Sequence, residues 1–260
     1  MQFINLGLLS AILITIFIIS IFFFEVYRRY QLNSYWYFIT LILGLPLSYL
    51  VNEYVKLPLF IETGLRSKQL AGSLTFIDSI IWVIIVGSTE EIIKIIVFLI
   101  CVFFDKDLNY KNKIGLGWAV GIGFGIGEML YLGYSLVFDP SYPSDVFLWL
   151  QGFCVERFFV TFAHAFFVLV VLKELDVGYA TIPFFLLISI FFHALFDYPI
   201  LAISLGFINW IDLTIIIILE LILIFILSFY FLNTLMTKSD KYKEMKHKDE
   251  LLERAKSINR

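Results

Sequence analysis

Glu90, Glu91, Lys94, Glu128, Glu156, Arg157, His164, His193, Asp197 and Glu220 interrupt long apolar stretches of this chain. Charged groups are costly in hydrocarbon and normally face a protein interior or a water-filled cavity. Gathered in one place, these carboxylates and imidazoles support three chemistries. His164 and His193 with Glu128 or Asp197 suit a divalent metal, zinc above all, which takes neutral imidazole and carboxylate ligands. A water in the vacant position would then be acidified, with Glu90 or Glu91 as general base. Without metal, a glutamate could activate water while a histidine stabilises the oxyanion. The same groups could instead form a proton or cation pathway, as in transporters. Serine and cysteine nucleophiles are poor candidates, because no Gly-x-Ser-x-Gly element is present and Cys154 has no evident base. Cys154 and Cys101 fit as small apolar packing residues at different depths.

Spacing narrows how these groups can meet. Lys94 follows Glu91 by three residues and Glu90 by four, so it reaches one of them on a shared helical side. The two glutamates point about 100° apart, which leaves one for other work. His193 and Asp197 are spaced i,i+4 and share a face; Arg157 and His164, seven apart, share another. Arg157 can pair with Glu90 or Glu128 across helices, with Glu156 as a local neutralising partner. A single membrane histidine ordinarily packs and hydrogen-bonds. Two of them with four carboxylates at similar depth favour a site. Glu220 has no partner motif and reads as an interhelical hydrogen bonder.

The elements that must carry these residues are membrane helices. The chain has 260 residues, 60% of them hydrophobic, and a mean hydropathy of +0.91. Several runs exceed the roughly 18–20 apolar residues that span a bilayer. The expected class is therefore an all-α, polytopic transmembrane helical bundle. About seven spans can be drawn, near 2–24, 34–51, 73–104, 114–138, 145–172, 179–204 and 208–235. The first run lacks a basic n-region and a cleavage site, so it reads as a retained helix rather than a signal peptide. The second is short and contains Pro46. Fourteen Lys and Arg fall on one side of these spans against Lys56, Arg66 and Lys68 on the other. That asymmetry places the C-terminus in the cytoplasm and the N-terminus outside. The division that follows is 1–72 as accessory spans and external connection, 73–204 as catalytic core, 205–235 as last span and 236–260 as charged tail.

Within that frame the segment 52–72 is polar enough to lie at or outside the membrane face, as an amphipathic helix. Gly117, Gly121 and Gly125, four apart, should let a neighbouring helix approach the fourth span closely. Counted from the cytoplasmic ends, Glu90, Glu128, Arg157 and His193 fall at one level, roughly 21–23 Å inward. His164 comes out about two turns closer to the cytoplasm, so the fifth span must begin elsewhere, bend or tilt. The tail alternates Lys with Glu and Asp and reads as solvated, with weak attraction to anionic lipid as the alternative. No soluble domain and no nucleic-acid-binding pattern is visible.

The order of the motifs resembles the PrsW family of intramembrane proteases. Glu90-Glu91-x-x-Lys94 is followed by Gly123-Phe124-Gly125-Ile126-Gly127-Glu128, then Arg157 with Ala163-His164-Ala165, then His193-Ala194-Leu195-Phe196-Asp197. The resemblance covers about residues 85–200, with Gly125 where alanine is common. It implies that Glu90 and Glu91 are the essential glutamate pair, that Lys94 is the motif lysine, and that Glu128, His164, His193 and Asp197 are its other polar positions. The related CAAX proteases are a worse match, because their EExxxR and FxxxH patterns are not met by Lys94 and Phe124. The resemblance implies a metalloprotease or glutamate-type enzyme, multi-pass in the plasma membrane of a prokaryote. Its substrate would be a membrane-anchored protein such as an anti-sigma factor, cut near the outer face. The expected function is thus an intramembrane endopeptidase with Glu90 or Glu91 activating water. His193, His164, Glu128 and Asp197 would hold a divalent metal, zinc by ligand type, or stabilise the intermediate, while Lys94 and Arg157 hold the carboxylates. The alternative is a non-enzymatic protein, a proton-coupled transporter or sensor built on the same buried charges.

Overall fold

A computed structural model describes residues 4–32, 34–139, 152–204 and 218–238. Among them the ordered elements are helical: α1 (Leu6–Tyr30), α2 (Ser34–Val51), a π-helical turn (Asn52–Lys56), α3 (Leu57–Glu62), α4 (Leu65–Leu70), α5 (Phe76–Phe104), α6 (Tyr110–Val137), α7 (Phe153–Val171) and α8 (Ile182–Ser204). A last helix, α9, covers Ile218–Lys238. Six of the helical stretches are long and apolar enough to cross a membrane. The remaining expected span, α5, has 29 residues and four charged ones, Asp78, Glu90, Glu91 and Lys94, against three or fewer in each of the other six. The expected start of the fifth span at 145, the start of the last span at 208 and the tail beyond 238 lie outside the described residues.

One expected boundary is corrected. The second helix does not stop at 51. It continues through the π turn and α3 as a single 28-residue apolar stretch, Tyr35–Glu62. Asn52 makes the irregular turn tolerable, because its Nδ2 donates to the Ser48 carbonyl at 2.7 Å and occupies an acceptor the helix ladder would otherwise use. Pro58 follows closely on the π turn, as the second residue of α3. The chain turns only after Glu62, through Gly64 at φ +72°, a conformation glycine adopts without strain. At the head of α5, Thr75 and Asp78 form a reciprocal capping box, and Lys68 pairs with Asp78 at 2.6 Å.

Helix α6 is the centre of the bundle, buried without a break from Ile114 to Gly127. Its glycines explain how. On one face a Cβ at Gly121 would fall inside the shell of the Ala165 backbone, and at Gly125 it would lie 2.5 Å from Thr161 Cα. On the other face a Cβ at Gly123 or Gly127 would strike the carbonyls of Leu41 and Leu45. Helix α6 is therefore wedged backbone-to-backbone between α7 and α2, the close approach that small residues permit within a membrane. Gly115, Gly117 and Gly133 instead meet side chains, Gly117 those of Leu172 and Val168. Around this wedge Phe22, Trp118, Phe162, Phe225 and Phe229 interlock edge to face and tie α1, α6, α7 and α9 together. Cys101 and Cys154 are free and buried.

Candidate metal-binding and catalytic site

Helix α5 brings the glutamate pair to the seam it shares with α8. The helices meet at Gly87, where a Cβ would sit 3.2 Å from the Ile190 carbonyl and 3.3 Å from His193 Cβ. That approach sets the imidazole of His193 directly over the next turn of α5. Phe167 of α7 stacks on the same ring at 4.8 Å and 20°, fixing its plane.

Glu91 is fully engaged. Its Oε1 accepts from Lys94 Nζ at 2.5 Å and contacts His193 Nδ1 at 2.6 Å, while Ser189 Oγ lies 3.3 Å from its Oε2. Lys94 and Glu91 both have 0% side-chain exposure, so the pair is sealed from solvent. Lys94 also rests 4.9 Å over the ring of Phe124 and reaches His164 Nδ1 at 3.1 Å. An ammonium can only donate, so His164 Nδ1 accepts there, and the ring carries its proton on Nε2. That nitrogen lies 3.0 Å from Glu128 Oε2. Arg157 Nη1 donates to the same carboxylate at 2.7 Å, and its Nη2 to Glu156 at 2.6 Å. Adjacent residues do not share a helix face, yet the long guanidinium side chain curls back to its neighbour. His164, whose depth looked inconsistent, falls into line because it meets Lys94, one turn along α5 from Glu90.

Glu90 differs from its neighbour. Its Oε1 accepts from Lys56 Nζ at 2.6 Å. Its Oε2 is buried and has no hydrogen-bond partner. That oxygen is 3.7 Å from His164 Nδ1 and 3.6 Å from His193 Nε2. Donor atoms of Glu90, His164 and His193 all lie within 4.8 Å of one another, so the three could hold a metal ion. Tetrahedral ligands at about 2.0–2.1 Å from zinc stand roughly 3.4 Å apart, close to these separations. Of the further ligands expected, Glu128 stands one layer out, whereas Asp197 faces the same His193 nitrogen as Glu90 does. Glu128 holds the far nitrogen of His164, and Asp197 Oδ2 lies 3.3 Å from His193 Nε2.

The electrostatics point the same way. Glu90, Glu91, Glu128, Glu156 and Asp197 face Lys56, Lys94 and Arg157 in one connected network. Five carboxylates against three cations leave the cluster with an excess of negative charge, which a bound cation or a protonated imidazole would offset. Asp197 and Glu156 are the most exposed members, at 27% and 28% of their side chains, so the network opens at that end.

Comparison with known proteins adds no identity. No family model matches the sequence, and no curated protein or solved structure matches it.

Two participants were not legible in the motifs. Lys56 falls by sequence in the polar connection, but it is 5% exposed and its ammonium lies in the site. The available signal was its setting in Tyr54-Val55-Lys56-Leu57-Pro58-Leu59-Phe60, a lone cation in a stretch that stays apolar. Ser189, four residues before His193, offered only its spacing. Glu220 reads differently from expectation too. Among the described residues it makes no hydrogen bond or ion pair, and it lines a groove of about 460 Å³ with Phe166, Phe167 and Phe192.

Proposed function

We propose that the protein is an intramembrane endopeptidase that hydrolyses a peptide bond in a membrane-anchored protein. Glu90, His164 and His193 would hold a divalent metal, zinc by ligand type, beside which the attacking water would sit. The observation that carries this reading is the buried, unbonded Glu90 Oε2 aimed between two imidazole nitrogens. A buried carboxylate oxygen without a partner is costly, and a cation or a water at that point removes the cost. The metal would lower the pKa of the attacking water and polarise the scissile carbonyl.

The chain's own groups do the rest. Glu91 and Glu128 grip the far nitrogens of His193 and His164, a carboxylate–imidazole support that orients metal ligands. Lys94 neutralises Glu91 and would have to release His164 Nδ1 to a bound metal. Arg157 anchors Glu128. Asp197, at the open end, is placed to take the proton of the water and deliver it to the leaving amine. In this reading α5 is a seventh span, its charges sheltered by α2, α6, α7 and α8, with the N-terminus outside and the C-terminus cytoplasmic. The likeness to the PrsW family supplies the substrate class, an anti-sigma-factor-like membrane protein, and the plasma membrane of a prokaryote.

A second reading rests on one contact, Lys94 to His164 Nδ1, which occupies the nitrogen a metal would need. Here Glu90 Oε2 itself takes the proton of the water, and the imidazoles stabilise the oxyanion without metal.

The test is cleavage of a co-expressed membrane substrate by wild type, Glu90→Gln, His164→Ala and His193→Ala, with metal analysis of each purified protein. Loss of cleavage together with loss of one bound metal ion supports the first reading. Cleavage in wild type without metal selects the second. Undiminished cleavage by all variants, or proton flux through wild-type liposomes with no cleavage, discards the protease.

A further inference from the structure

We infer that Lys56 is a positioning residue of this site: its ammonium holds one oxygen of Glu90 so that only the other faces the two imidazoles. The inference rests on the metal reading above. The two oxygens of Glu90 are in unlike states. Oε1 accepts from Lys56 Nζ at 2.6 Å, while Oε2 has no hydrogen bond and points between His164 and His193. A free carboxylate can turn both oxygens to one cation. A single point charge on Oε1 prevents that and leaves a one-oxygen ligand.

The way Lys56 reaches Glu90 supports a dedicated arrangement. It is the last residue of the π turn, where the extra residue rotates the following helix relative to α2. Such turns recur at functional sites. Its side chain is 7% exposed against 1% for Glu90. A buried ion pair contributes little net stability compared with apolar residues of similar volume, so stability is a weak reason for a cation here. Lysine also differs from arginine at this point. An ammonium engages one oxygen, whereas a guanidinium fork engages both oxygens of a carboxylate.

That difference makes the test directional. Wild type, Lys56→Met and Lys56→Arg are purified and titrated with Co²⁺, following its visible absorption, with helicity and thermal melting recorded alongside. Wild type should show the intense bands of four-coordinate cobalt. Lys56→Met should still bind cobalt, with bands weakened at least twofold as Glu90 turns both oxygens inward, and kcat lowered about 10–100-fold at unchanged KM. Lys56→Arg keeps the charge and the ion pair but withdraws Oε2, so cobalt affinity should fall at least tenfold in a folded protein. Wild-type cobalt binding and spectra in both variants would overturn the inference alone. Loss of fold in both would make Lys56 purely structural and overturn it as well. Wild type that takes up no cobalt would overturn the metal reading and the inference with it.

Discussion

Lys94 Nζ lies 2.5 Å from Glu91 Oε1, and neither side chain has any solvent exposure. The pair forms within one helix turn, so the geometry is set by α5 alone. Lys94 holds Glu91 in place while that carboxylate contacts His193. Removing one partner of a buried ion pair leaves the other charge uncompensated. Lys94→Met should therefore destabilise the protein by about 3–5 kcal/mol, read as a fall in the thermal midpoint in detergent.

Glu90 and Glu91 are neighbours in sequence but not in role. Glu90→Gln removes the oxygen at the centre and should cut the cleavage rate by at least about a thousandfold, a magnitude of the kind lost with an essential group. Glu91→Gln still offers a carbonyl to the His193 N–H, so its loss should be about 10–100-fold. Single-turnover cleavage of one membrane substrate by both variants measures the difference. Equal losses would mean that Glu91 also touches the reacting water.

Glu128 connects Arg157 to His164. Glu128→Gln should lower metal affinity by about 10–100-fold while leaving the fold intact, as expected for a group that orients a ligand. Equilibrium titration with Zn²⁺ against a chelator checks it. Unchanged affinity would remove Glu128 from the support of the site.

Gly127 faces the Leu45 carbonyl, and Gly121 the Ala165 backbone, with no room for a methyl group. Backbone cannot move aside as a flexible side chain can. Gly127→Ala and Gly121→Ala should each cost about 3 kcal/mol or more, at the upper end of overpacking penalties. Gly117→Ala meets only the side chains of Leu172 and Val168 and should cost about 1–2 kcal/mol. Thermal midpoints of the three variants give the ranking.

What the sequence made legible follows from which forces are local. Helicity, apolar length and the Glu91–Lys94 spacing are properties of single segments, and each was readable from its own residues. The glycines of α6 signalled a close helix partner, but not that both faces would be used, because Gly44 of α2 becomes a partner only once α2 lies against Gly123. His193, His164, Glu90 and Glu128 could be nominated from type and order. Their division into a central group and a supporting group could not, since that depends on how four helices are rotated about their axes. Lys56 was misplaced for a related reason. Pro46 and the polar segment from Glu53 onward suggest that the second helix ends early, whereas Asn52 satisfies a helical carbonyl and the helix runs on to Glu62.

The carbonyls of Leu41 and Leu45 rest directly on Gly123 and Gly127. A shortened chain that began near residue 73 would lack them, together with the cation that faces Glu90. It would show lipid a bare trench of main chain along α6, which hydrocarbon solvates poorly. The smallest fragment that can stand alone must therefore start upstream of α2, even though every recognisable motif lies downstream of it.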